Sequence, residues 1–63
     1  MPMTSKEMIK FLKKNGFEEI SQRGSHKKMQ NKNTGKTTIV PMHNKDLPRG
    51  TEKAILKDAG LTK

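Results

Sequence analysis

The sequence predicts an α+β domain in which a helix, a three-stranded antiparallel sheet and a second helix follow one another. Three observations carry that expectation. Stretches with apolar residues at helical spacing stand near both ends, short segments between clusters of turn formers fill the middle, and no internal repeat or linker divides the chain. The 63 residues are expected to make one small domain, 1–63, with a thin core, because a chain this short buries only about 60% of the surface its unfolded form exposes.

Thr4-Ser5-Lys6-Glu7 has the S/T-x-x-E form of a capping box, and Met8, Ile9, Phe11 and Leu12 follow as an apolar stripe. The first helix is therefore expected over residues 5–15, with Lys6, Lys10, Lys13 and Lys14 on its outer side and Asn15-Gly16 as its stop. Two turn-forming clusters, Arg23-Gly24-Ser25 and Asn31-Lys32-Asn33-Thr34-Gly35, then separate three strands. These are Phe17 to Gln22, His26 to Gln30 and Lys36 to Val40, with Pro41 ending or edging the last. The middle strand is cationic and poor in strand formers, so its assignment leans on the turns around it. Pro41 to Pro48 reads as a loop. Thr51 to Ala59 resumes a helical pattern, with Ala54, Ile55, Leu56 and Ala59 inward and Gly60 as the stop. Phe11 and Phe17 are assigned to the core, and both helices to one face of the sheet.

Fourteen Lys and Arg against six Asp and Glu give a net charge of +8 and a pI near 10.1, the balance of a nucleic-acid-binding domain. The cations are spread along the chain, as on a charged face rather than a tail. Without cysteine there is no disulfide or zinc framework, and six scattered acids do not supply a two-metal centre. No cofactor and no metal are expected. The chain has no long apolar run for a membrane helix and no apolar leader at its start, so the expected location is the cytoplasm. It also has no Tyr or Trp on which bases could stack, so contacts should go mainly to phosphate and sugar.

The candidate site is Arg23-Gly24-Ser25-His26-Lys27-Lys28-Met29, one histidine among three cations where a turn enters a strand. Strand alternation puts His26, Lys28 and Gln30 on one face and Lys27 and Met29 on the other. If Met29 points to the helices, His26 and Lys28 lie on the open face, a cationic surface suited to a polymer. Gly24 allows a tight turn, Ser25 offers a hydroxyl, and Arg23, Lys27, Lys28 and Lys36 are candidate phosphate ligands. Cations beside an imidazole disfavour its protonated form, which suits a base. The plainer alternative is a surface histidine without a duty. Ser25 and His26 are adjacent and fall on opposite strand faces, so they do not make a triad. His43 is a secondary candidate, and two histidines without Cys or an acidic pair are a weak metal motif.

In four segments the chain resembles the HicA family of bacterial toxins, the ribonuclease half of a type II toxin–antitoxin pair. They are Phe11-Leu12-Lys13-Lys14-Asn15-Gly16-Phe17, Gly24-Ser25-His26, Ile39-Val40-Pro41-Met42-His43, and Gly50-Thr51-Glu52-Lys53-Ala54-Ile55-Leu56-Lys57-Asp58-Ala59-Gly60. The resemblance implies a fold similar to double-stranded-RNA-binding domains, cleavage of messenger RNA, and neutralisation by a HicB antitoxin in a hetero-oligomeric complex. It also implies that His26 is catalytic, with Gly24 and Ser25 shaping its turn, and it gives His43 a secondary place. Met29 stands where the family usually has an aromatic or apolar residue. From the residues alone, a non-catalytic RNA- or DNA-binding module and a structural subunit that docks an acidic protein are the rival readings.

Overall fold

A computed structural model describes residues 3–42 and 46–61. Its elements are α1 (Ser5–Lys14), β1 (Phe17–Arg23), β2 (His26–Asn31), β3 (Thr37–Pro41) and α2 (Arg49–Asp58), with the strands in one antiparallel sheet of order β1-β2-β3. The expected class and element order are present, with boundaries shifted by a residue or two.

The capping box at the start of α1 is formed in full: Glu7 N donates to Thr4 Oγ1 at 3.1 Å, and Thr4 N donates to Glu7 Oε1 at 2.9 Å. Hydrogen bonding from the Thr4 backbone N–H first, and from the Thr4 side chain second, holds the Glu7 carboxyl below its ordinary value of 4.5. The buried stripe of α1 is Ser5, Met8, Ile9 and Leu12, a strict i, i+3, i+4, i+7 set. Phe11 falls outside that set and is 36% exposed, which corrects its assignment to the core. Ser5 takes the place a fourth apolar residue would fill. Its hydroxyl donates to the Pro41 carbonyl at 2.6 Å, so the polar group is satisfied and α1 is tied to the end of β3.

Met8, Ile9 and Leu12 from α1 pack with Ile55 of α2, with Ala59 at its C-cap and with Phe17, Met29 and Val40 of the sheet, so both helices cover one sheet face. Leu47, from the segment expected to be a loop, is also buried, and its N–H donates to the Met3 carbonyl at 2.7 Å. Ala54 is exposed rather than inward. As with Phe11, it lies about 100° round the helix from a buried neighbour, here Ile55. α2 is fastened beside β3 by the Thr38 hydroxyl, which donates to the Ile55 carbonyl at 3.2 Å. At the other end, Asn31 accepts from the N–H groups of Asn33 and Thr34 at 2.8 and 3.2 Å and donates to the Asn15 carbonyl at 3.3 Å. One side chain thus fixes both the β2–β3 turn and the exit from α1. Among the described residues no helix is long and apolar enough to cross a membrane.

Candidate active site

The opposite sheet face carries the candidate residues Arg23, His26 and Lys28, and a one-residue irregularity in β1 aligns them. Phe17, Glu18 and Glu19 pair with Asn31, Gln30 and Met29, but after a register shift at Ile20 the partners are Ser21 with Lys28, Gln22 with Lys27 and Arg23 with His26. Had Ile20 paired in regular register, Gln22 would stand opposite His26, and Arg23 would fall on the helix side, because a slip of one residue exchanges the faces of a strand. The bulge therefore puts Arg23 beside the histidine. The two strands are joined by Gly24 and Ser25 alone, with Gly24 at φ +53 and no positive φ at Ser25, the pattern of a type II′ hairpin. A Cβ on Gly24 would meet nothing within 4 Å, so the demand for glycine there is one of backbone conformation. Gln22 Nε2 donates to the Gly24 carbonyl at 3.0 Å, and Met42 N donates to the Ser25 carbonyl, which extends the ladder past β3 and steadies the turn from both sides.

On this face Ser21, Arg23, His26, Lys28 and Ile39 line one hollow of about 360 Å³. The first four are exposed, and among the described residues none of the Arg23, His26 and Lys28 side chains has a hydrogen bond or an ion pair. An imidazole, a guanidinium and an ammonium thus share an open surface with their polar atoms uncommitted. Ser21 and Ile39 were not legible as site residues. They arrive through pairing with Lys28 from either side, and that long-range register is invisible in a single sequence.

Two of the other cations named from the sequence are not brought to this group. Lys27 faces the helix side, where its ammonium lies 3.1 Å from Glu19 Oε1, an oxygen shared with Lys13 at 3.3 Å. The hydrogen bonds from Lys27 first and Lys13 second hold the Glu19 carboxyl below its ordinary value of 4.5. The Lys27 charge is offset and aimed away from His26. Lys36 stands just before β3, whose far end Thr37 pairs with Gln30, while His26 pairs with Pro41 at the near end. Four residues of strand, about 13 Å, separate those ends. A Cβ built on Gly60 would lie 2.8 Å from Lys36 Cδ and Cε, so the lysine stem rests against the turn after α2. His43 lies outside the described residues. Among the described residues no three of His, Asp and Glu converge as metal ligands.

Against that geometry, the sequence model of a family described as the HicA toxin of bacterial toxin-antitoxin matches residues 5–61. The chain belongs to the HicA toxin family. The matched span runs from the first residue of α1 to just beyond α2, so every element described above is part of the likeness. No curated protein matches the chain. Family membership makes this HicA chain the toxin of a toxin–antitoxin system, with an antitoxin as its partner.

Proposed function

We propose that this HicA toxin is a metal-independent endoribonuclease that cleaves messenger RNA in the cytoplasm, with His26 as its general base. The supporting observation is the His26 imidazole in one open hollow with Arg23 and Lys28, all three side chains without a hydrogen bond or ion pair among the described residues. RNA carries its own nucleophile, so little else is required. His26 takes the proton of a ribose 2′-hydroxyl, the freed oxygen attacks the adjacent phosphorus, and the bond from phosphorus to the 5′-oxygen breaks. The leaving oxygen takes a proton from the Lys28 ammonium or from water, and the products are a 2′,3′-cyclic phosphate and a 5′-hydroxyl. Arg23 and Lys28 stabilise the charge that grows on the phosphate oxygens. A single general base contributes about 10²- to 10⁴-fold. The test is cleavage of single-stranded RNA by wild type and His26→Ala with EDTA present throughout. Binding without any cleavage by the unaltered chain would instead support a non-catalytic RNA-binding module.

The partner in this reading is a HicB-type antitoxin in a hetero-oligomeric complex, and residues 1–63 act as a single toxin domain. The open cationic face gives an acidic partner surface something to complement.

Salt dependence should separate the cations by face. Each phosphate contact on a single strand contributes about 0.7 to the slope of log affinity against log salt. Arg23→Ala and Lys28→Ala are each expected to lower the magnitude of that slope by about 0.7. Lys27→Ala should leave it nearly unchanged, because that lysine already faces Glu19. Equal losses for all three in a fluorescence anisotropy titration would contradict the assignment of faces.

A further inference from the structure

Beside the hollow that holds His26 lies a second one, a groove of about 540 Å³ between the open side of β3 and α2. It is lined by Lys28, Thr37, Ile39, Thr51, Ala54 and Asp58, among others, and it shares Lys28 and Ile39 with the first hollow. The two adjoin at those side chains. A strand lying over His26 would therefore pass Lys28 and place its neighbouring nucleotide in the groove.

The chemistry of the groove differs from that of the hollow. Lys28 is the only cation among its lining residues and stands at the boundary, whereas Asp58 supplies a carboxylate on its α2 side. Among the described residues Asp58 has no ion pair or hydrogen-bonded partner, and although the same holds for the Asp46 and Glu52 side chains, of these three only Asp58 lines the groove. A phosphate is repelled by that carboxylate. A base is not, and its N–H groups are what an acceptor-only carboxylate can bind. Ile39, 51% exposed, and Ala54, also exposed, supply apolar surface for the flat of a base, and the Thr37 and Thr51 hydroxyls add polar contacts at its rim.

On the basis of the nuclease reading above, we infer that this groove is a base-reading subsite for the nucleotide next to the scissile phosphate, with Asp58 as the specificity residue and guanine as the preferred base. Guanine presents two adjacent donors, N1–H and N2–H, to one carboxylate. Uracil presents a single N–H between two carbonyl oxygens and meets the same carboxylate poorly. Single-stranded RNA is commonly read in this way, on the Watson–Crick edges of unstacked bases. The toxin thereby reads one position without an aromatic platform.

The test uses oligonucleotides with one ribose in an otherwise deoxy strand, flanked on each side in turn by guanine, adenine, cytosine, uracil or no base. Cleavage by the wild type should be about tenfold or more faster with guanine than with uracil on one of the two sides, the discrimination expected of a bidentate contact. Asp58→Asn should abolish most of that preference once each rate is divided by the same variant's rate on the abasic strand, which corrects for the general effect of removing a negative charge beside the strand. The substitution is compatible with the fold, since Asp58 is exposed at the last position of α2, where a carboxylate opposes the helix dipole. Equal rates for all flanking bases in the wild type, or a guanine preference that survives Asp58→Asn, would overturn the inference. The same series is also titrated for binding with His26→Ala, which keeps the groove intact. Guanine-selective binding that Asp58→Asn removes would sustain the subsite even if no strand is cut and the nuclease reading fails, and binding indifferent to the base would overturn the subsite even if His26-dependent cleavage is found.

Discussion

Replacing His26 with alanine is expected to slow RNA cleavage by about 10²- to 10⁴-fold, the usual contribution of a positioned general base. The protein should fold as before. His26 is exposed, forms no hydrogen bond among the described residues and lies outside the core, so its removal leaves no cavity and no orphaned partner. RNA binding should persist with its salt dependence, because Arg23 and Lys28 remain in place on the same face. A loss of activity that tracked a loss of binding or of folded protein would assign His26 a structural or contact role. Cleavage that vanished in EDTA, in wild type as in the mutant, would move the chemistry to a metal ion.

The second large effect lies on the other side of the same strand. Met29 is fully buried between its exposed neighbour Lys28 and half-buried Gln30, and it packs in the single core that joins both helices to the sheet. Met29→Ala should destabilise the domain by about 2–5 kcal/mol through lost burial and a residual cavity. A chain of this length holds roughly 3–9 kcal/mol in total, at 0.05–0.15 kcal/mol per residue. The variant is therefore expected to be partly or wholly unfolded at 37 °C in a thermal melt followed by circular dichroism. Met29→Leu nearly conserves volume and should cost less than about 1.5 kcal/mol. An antitoxin that binds only the folded toxin would restore the alanine variant by mass action, raising its melting temperature with partner concentration. If Met29→Ala melted like the wild type, β2 would not be seated on the helices as described, and the orientation of His26 would lose its support.

The parts of the fold that are local in sequence were legible, and those that depend on pairing were not. Thr4 and Glu7 announce the start of α1, and the two turn clusters divide the strands, because caps and tight turns are chosen by residues three or four positions apart. Phe11 and Ala54 were misplaced because apolar character was allowed to outweigh angular position. On α1 the buried set includes the polar Ser5 and leaves out the aromatic residue. In the site, alternation along β2 was enough to put His26 and Lys28 on the open face once Met29 was taken as core. The neighbours of His26 were harder. Positive charge alone suggested Lys27, which the pleat turns toward Glu19, and Lys36, which stands just before the end of β3 remote from His26. The residues that do line the hollow, Ser21 and Ile39, come from strands aligned by a bulge at Ile20 and by long-range pairing, which no local pattern records.

The chemistry of the cut ends tests the central claim most directly. A histidine that activates the substrate's own 2′-hydroxyl must leave a 2′,3′-cyclic phosphate and a 5′-hydroxyl, and a strand with deoxyribose at the scissile position must survive intact. Mass spectrometry of products from matched ribo- and deoxy-substituted oligonucleotides reads both results at once. Cyclic phosphate ends, and no cut at the substituted position, are the predicted outcome. A 5′-phosphate with a free 3′-hydroxyl, or cleavage that ignores the missing hydroxyl, would show that water attacks instead, and His26 would not be the base that starts the reaction.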